Sequence, residues 1–474
     1  MEHTSIVTAE DLSRYADRND SRGVIPELVY LLVRQAMTHG DDCRIPYGDS
    51  VNQSGLDGHV VCATGFFQFV PQGRSYWEIG TGREPQDKAT RDFRKRTKQL
   101  SEDERQNVTF VFVTPRSSGH EGWEEAKQRQ WINKRKNSRW KDIRIIDGVK
   151  LADWLRECPS IARWLAVKMG VTVSSEGMTT PLEHWQSILN SGDKKDPPLP
   201  PELFTITREN ACNELQKLFS GETKRVLLSA ESKDDVNDFV AAYIATLGEE
   251  HPYARRCLFI SDPNAWRSVS ESRRSHVFVA DPKLEMESAQ MDLQTVATDH
   301  EHGVIIPLYG AVFHGNHEII HLRSPSQYKI EETLRAANFP DIRARELAAI
   351  GDGRLSALRR HFLGLGDIPS YATWGTAGQL AKLGLFGQWS EKNDADIEAL
   401  RQILGNDLGE WKDKLYDLTL QPDTPLTQLD GKWRIVPRGE AWNALGNRLS
   451  DEDLDRFQEI ALLVLGERDP KFDL

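Results

Sequence analysis

No apolar run in the sequence approaches the roughly 18 residues that a membrane-crossing helix requires, which excludes a helical spanning protein. The first twenty residues are acidic and have neither a basic start nor an apolar stretch. No secretory signal is expected there, and the cytoplasm is the expected location. Cysteine is scarce: Cys43, Cys62, Cys158, Cys212 and Cys257 are odd in number and far apart. That usage fits neither a disulfide framework nor zinc ligation at Cys-x-x-Cys spacing, so reduced, buried thiols are expected. No internal repeat is apparent.

At 474 residues the chain is long enough for two to four domains of roughly 100 to 200 residues each. Hydrophobic residues make up 39% and charged residues 28%, the composition of a globular chain. The net charge of −12 conceals an uneven distribution. Residues 1–170 carry 27 Lys and Arg against 24 Asp and Glu, net +3, which leaves net −15 for residues 171–474. Within the first third, residues 88–100 hold six basic side chains and one acidic one, and residues 127–144 hold eight and one. Two uses fit such runs, a solvated helix face or contact with a polyanion.

The apolar spacing of residues 24–37 predicts a helix with Pro26 in its first turn. Strands are predicted at 58–63, 76–79, 107–113 and 142–146, a polar helix at 85–100, and helices at 151–158 and 160–170, closing a mixed α/β unit near residue 170. Residues 190–201 (NSGDKKDPPLPP) read as a stiff linker. Strands at 225–230, 257–261, 276–280 and 303–307, with a helix around 234–247, predict a parallel α/β sheet. Four helices then follow between 329 and 386, two short ones within 394–418, a hairpin at 429–436 turning at Asp-Gly, and a helix at 451–466. The expected organisation is an α/β multidomain chain: a mixed-sheet domain (1–170), a linker (171–202), a parallel α/β domain (203–325), a helical domain (326–390) and a winged-helix-like domain (391–474).

Asp57 stands at the mouth of one predicted strand, and Glu78 lies in the next strand of a predicted hairpin. Two carboxylates on adjacent strands can converge on a divalent ion such as Mg²⁺ (or Mn²⁺), which polarises a phosphate and lowers the pKa of a water. Lys88, at the start of the polar helix, can orient or activate the nucleophile, and Glu27 on the first helix is a candidate additional acid. At these residues the domain resembles the PD-(D/E)xK nuclease superfamily, particularly its Mrr-like restriction branch, over roughly residues 20–170. The resemblance implies a restriction-endonuclease-like mixed sheet, a DNA substrate, Asp57 and Glu78 as metal ligands and Lys88 as the third catalytic residue. The family pattern places a lysine two positions after the glutamate, where this chain has Gly80, so Lys88 is the residue offered in its place. The basic runs would grip nucleic-acid backbone through Arg91, Arg94, Lys95, Arg96 and Lys98, and through Lys134, Arg135, Lys136 and Arg139. Trp154 and Trp164 lie among leucines and read as core, whereas Trp131 and Trp140, inside the second basic run, are open to base stacking or to packing.

A phosphate loop after the strand RVLLSA would read G-x-x-x-x-G-K-[ST]; the chain has AESKDDVNDFV, without glycine, and Asp234 and Asp235 would repel phosphate. Lys233 alone cannot replace that loop, and HVFVAD ends in Asp281 like a Walker B strand. No nucleotide and no ATPase activity are expected. The order of this core, a helical region and a winged helix resembles the central part of STAND NTPases, here without the phosphate loop. That family continues into a long sensor region, and nothing follows Leu474. The resemblance therefore implies a longer chain, a separate sensor partner or a homo-oligomer. A nuclease on this chassis resembles a bacterial anti-phage effector: a metal-dependent endonuclease controlled by its NTPase-like half or by oligomerisation. The alternative is a non-catalytic nucleic-acid-binding or scaffold protein with a vestigial nuclease fold.

Overall fold

The computed structural model describes residues 6–37, 40–47, 56–117, 123–170, 177–191, 196–230, 234–248, 251–280, 297–309, 318–350, 355–363, 377–404, 408–419, 425–429, 431–435, 441–442 and 445–466. It is an α/β chain that divides into two compact units, Met1–Glu176 with Ser268–Ser275, and Gly177–Arg267 with His276–Leu474.

In the first unit, helices α1 (Ala9–Tyr15) and α2 (Ser21–Ala36) precede strands β1 (Asp42–Arg44), β2 (Gly58–Cys62) and β3 (Gly73–Ile79). Helices α3 (Pro85–Gln99) and α4 (Glu102–Arg105), strand β4 (Val108–Val113), helix α5 (Glu125–Asn133), strand β5 (Asp142–Ile146) and helices α6 (Gly148–Arg156) and α7 (Pro159–Met169) follow. The sheet has the order β1-β2-β3-β4-β5, antiparallel from β1 to β3 and parallel from β3 to β5. β4, VTFVFV, is buried at every position, because a strand with neighbours on both edges and helices on both faces must be apolar throughout. One face of the sheet packs on α2, α6 and α7 through Val60, Trp77, Val111 and Trp154. The other packs on α3 and the α5 region through Ala89, Phe93, Phe110, Phe112, Trp131 and Trp140.

The second unit opens with β6 (Met178–Thr179), α8 (Pro181–Ser191), α9 (Glu202–Thr205) and α10 (Glu209–Ser220). Its sheet continues through β7 (Arg225–Ala230), α11 (Asp235–Leu247), β8 (Cys257–Ile260), α12 (Pro263–Ser270), β9 (Val277–Ala280), β10 (Gly303–Tyr309) and β11 (Ile319–His321). The strand order is β11-β7-β10-β9-β8-β6, parallel except for the edge strand β6. Helices α13 (Gln327–Ala336), α14 (Asp341–Ala349), α15 (Leu355–Phe362) and α16 (Ala377–Phe386) lead to β12 (Gln388–Ser390). They are followed by α17 (Asp394–Leu404), α18 (Leu408–Thr419), β13 (Leu426–Leu429), β14 (Lys432–Ile435) and α19 (Asp451–Gly466). β12, β14 and β13 form a small antiparallel sheet over a core of their own, with Trp389 and Trp433 stacked at 5.8 Å. Among the described residues no helix is long and apolar enough to cross a membrane.

Three expectations need correction. Helix α2 begins at Ser21, so Pro26 falls beyond its first turn. The interval 171–202 is not all linker: it contains β6 and α8, because Trp185 and Ile188, three apart on α8, bury into the core of the second unit. The hairpin begins at Leu426, three residues early, and Gly431 supplies the positive φ of +74° at its turn.

Trp154 is fully buried, stacked on Phe69 at 5.0 Å and tilted against Trp77. Trp154→Ala is expected to destabilise the first unit by about 3–5 kcal/mol, the cost of emptying so large a site. Urea unfolding followed by far-UV circular dichroism measures it.

Candidate active site

Strand parity sets the site. On β3, Ser75, Trp77 and Ile79 are buried on the α2 side, so Glu78, like Tyr76, faces α3. β2 and β3 are registered through Gly58 opposite Trp77, which leaves Asp57, one residue further, across from Glu78. An Asp57 Oδ2 accepts the Ile79 amide hydrogen at 2.9 Å, and this fixes the carboxylate at the strand mouth. The chain just after β1 packs closely here because residue 58 is glycine: a Cβ there would lie 2.7 Å from Ile45 Cγ1.

Helix α3 lies opposite and offers Lys88, Asp92 and Arg96, each four residues after the last and therefore on one side of the helix. Lys88 Nζ is 2.9 Å from Asp92 Oδ2 and 3.9 Å from Asp57 Oδ2. Arg96 Nε donates to Glu78 Oε1, and its Nη1 donates to Gln99 Oε1 at 2.8 Å. Gly80 makes room for this arrangement, since a Cβ at that position would lie 3.0 Å from Lys88 Cγ and 3.1 Å from Phe112 Cζ. The position that carries the lysine in the nuclease pattern is bare, and the stem of Lys88 passes beside it.

Burial pushes the Glu78 carboxyl up to about 7; Arg96 opposes this, and the charges of Asp57 and Asp92 reinforce it. A carboxylate against a guanidinium is ordinarily held low, so the desolvation of Glu78, whose side chain is 2% exposed, outweighs the pairing. For Lys88, burial alone would lower the ammonium pKa, but its hydrogen bond with Asp92 and the charges of Asp92, Asp57 and Glu78 raise it above the ordinary value. Lys88 is therefore a charged group at neutral pH and can orient a water or a phosphate oxygen; it is poorly placed to take a proton.

The donor set fits a hard divalent ion. Asp57, Asp92 and Glu78 face two cations, Lys88 and Arg96, so the fully ionised cluster keeps an excess negative charge. Among the described residues no three His, Cys, Asp or Glu side chains converge as a complete metal cage. Mg²⁺ commonly rests on one or two carboxylates and completes its shell with waters and phosphate oxygens, so Asp57 and Glu78 are the two residues that would hold it.

Glu27 is half-buried on α2, and its charge acts on Tyr15; the structure does not bring it to Glu78. The basic runs adjoin. Trp131 Nε1 donates to Thr90 Oγ1 at 2.9 Å, Trp140 Nε1 to Thr97 Oγ1 at 3.1 Å, and the charge of Arg94 reaches Arg135. Arg91, Arg94, Lys95, Lys98, Lys134, Lys136 and Arg139 are exposed. Arg135 is half-buried, with its guanidinium 3.7 Å from the centre of the Trp131 ring. Arg96 must be removed from the phosphate-gripping set, since it is 4% exposed and committed to Glu78. Trp131 and Trp140 are buried among Phe93, Phe110 and Trp123, so packing, and not base stacking, is their use. Asp92 was missed by the sequence reading, although its four-residue spacing from Lys88 was available as a signal.

In the second unit the strand order reverses at β7, the place where open α/β sheets usually take ligands. Helix α11 begins there, and three carboxylates crowd its N-terminus. Arg208 holds Asp235 through two hydrogen bonds at 3.0 and 3.1 Å, Arg359 pairs with Asp234 at 3.1 Å and Asp238 at 2.8 Å, and His184 Nε2 lies 2.7 Å from Asp238. A phosphate brought to this helix end would meet these carboxylates. Lys233 and Asp281 lie outside the described residues.

No family model matches the chain, and no curated protein matches it.

The raised carboxyl of Glu78 has a thermodynamic consequence. The folded state holds this proton more tightly than the unfolded chain, so its contribution to stability is complete below pH 4.5 and is lost as pH rises to about 7. At about 1.4 kcal/mol per pKa unit the loss is on the order of 3 kcal/mol. Chemical denaturation between pH 4 and 8 should show a steeper decline for the wild type than for Glu78→Gln, whose side chain does not titrate. Parallel profiles would show that Glu78 ionises normally.

Proposed function

We propose that the first unit is a Mg²⁺- or Mn²⁺-dependent nuclease that cleaves phosphodiester bonds in DNA, under the control of the second unit or of oligomerisation. The observation that carries this reading is the convergence of Asp57, Glu78 and Lys88 from two strands and a helix, with Gly80 leaving space for the lysine stem. Asp57 and Glu78 would hold the ion, which when bound polarises the phosphate and lowers the pKa of a water. Lys88, kept protonated by Asp92, orients the attacking water or the phosphate oxygen it is to meet. The exposed side chains Arg91, Arg94, Lys95, Lys98, Lys134, Lys136 and Arg139 neutralise backbone phosphates, which makes binding salt-sensitive and independent of sequence.

Coupled to a second unit whose α11 terminus carries its own carboxylates, this is the reading of an anti-phage effector awaiting a sensor partner or a second copy. Pairing two nuclease units would allow both strands to be cut. One observation favours a second reading, a non-catalytic nucleic-acid-binding or scaffold protein: Arg96 already engages Glu78.

The deciding experiment is Mg²⁺-dependent degradation of plasmid and phage DNA, with oligomeric state recorded in the same samples. Asp57→Asn keeps an acceptor for the Ile79 amide while removing the charge, so it should fold and bind DNA. The expected loss is more than about 100-fold in cleavage, equivalent to several kcal/mol of charge stabilisation. If wild type and Asp57→Asn bind DNA equally and neither cuts in any assembly state, the scaffold reading replaces the nuclease.

A further inference from the structure

The polar pairing inside the candidate site is asymmetric. Lys88 is bound to Asp92 and stands 3.9 Å from Asp57, which stays more than a third exposed. Arg96 is different: its Nε is on Oε1 of Glu78, one of the two residues that would hold the ion, and both side chains are almost fully buried, at 5% and 2% exposure. A guanidinium cannot give up its charge at any ordinary pH, so it cannot make way by deprotonation. A divalent ion coordinated by Glu78 would face this fixed positive charge across one carboxylate, in an environment where burial weakens screening. Gln99 Oε1 holds the guanidinium in place from the next turn, at 2.8 Å from Nη1.

We propose that Arg96 is a resident counter-cation that competes with the divalent ion for Glu78 and so sets the ion concentration at which the site fills. This rests on the metal-dependent reading above. Arg96 is a positioning residue here, acting through Glu78. It neutralises the buried carboxylate when no ion is bound, and the ion must displace it or share Glu78 with it. The opposite role, in which Arg96 holds Glu78 in the orientation the ion needs, predicts the opposite sign.

Calorimetric titration of the full chain with Mn²⁺ alone, without DNA, separates the two. Arg96→Gln is expected to bind Mn²⁺ about tenfold more tightly than wild type, within the range over which partners of metal ligands tune affinity. Glu78→Gln is expected to bind at least tenfold more weakly. Gln99→Ala, at an exposed position, loosens the hold on Arg96 without burying anything new, and should tighten binding by roughly two- to threefold. Should Arg96→Gln fail to fold, Gln99→Ala decides. Unchanged or weakened affinity in the folded Arg96 variant, or in Gln99→Ala where that variant decides, overturns the competition. Wild type that binds Mn²⁺ in a Glu78-dependent way keeps the metal site whatever Arg96 does. Absence of binding in wild type and every variant removes the metal site and the competition together.

Discussion

A carboxylate in the middle of a sheet is the constraint around which the first unit is arranged. β3 is the central strand, and its alternation gives Trp77 and Ile79 to one core and Glu78 to the other. An unpaired charge there would cost far more than any neighbouring apolar contact returns. Helix α3 answers with Arg96, and the same helix packs Ala89 and Phe93 on Phe110 and Phe112. One helix rotation satisfies both demands. Shifting β3 by a single residue would turn Glu78 toward Trp154 and the aliphatic side chains around it and remove Trp77 from that core.

The second unit meets the same requirement with a different result. Asp235 and Asp238 are buried at the start of α11, and the side chains that pair with them come from α8, α15 and the residue preceding α10. Buried ion pairs add little net stability when complete and are costly to break, so their effect is to specify which helices meet. Here the acids are matched by Arg208, Arg359 and His184, side chains that are themselves buried or nearly so. In the first unit Asp57 and Lys88 remain more than a third exposed, and the carboxylates outnumber the cations. Of the two clusters, that of the first unit is the one with both an acid and a cation more than a third exposed.

Much of this was legible in the sequence, for reasons that differ by element. NVTFVFV, GHVVCA and YWEI read as strands because they are turn-bounded stretches rich in β-branched and aromatic residues, and RVLLSA because it runs into a helical pattern. Asp57, Glu78 and Lys88 were legible as a set, since strand mouth, adjacent strand and following helix converge in this topology. Arg96 was not, because counting basic residues on α3 treats the helix as a uniform cylinder. Pro85, Ala89 and Phe93 recur every four residues and face inward, and the next inward position is Arg96, where an apolar residue would be expected. Trp131 and Trp140 misled in the opposite way. Their charged neighbours suggested a surface, but their indole hydrogens are bonded to Thr90 and Thr97 of α3, which binds the basic run to the core beneath it.

Gly80 gives the departure from the nuclease pattern a physical form. A lysine in the pattern's position, two residues after the glutamate, would extend from the strand on the face that Glu78 occupies. In this chain that space holds the Lys88 stem, against which even a methyl group at position 80 would press. Glycine and helix-borne lysine are therefore two halves of one arrangement, since restoring a side chain to residue 80 would push Lys88 away from Asp57. The arrangement also adds something a strand-borne lysine would not have. From α3, Lys88 pairs with Asp92 one turn on, and the next residue at the same spacing is Arg96. The helix that delivers the ammonium group to the site thereby also delivers the guanidinium that occupies Glu78.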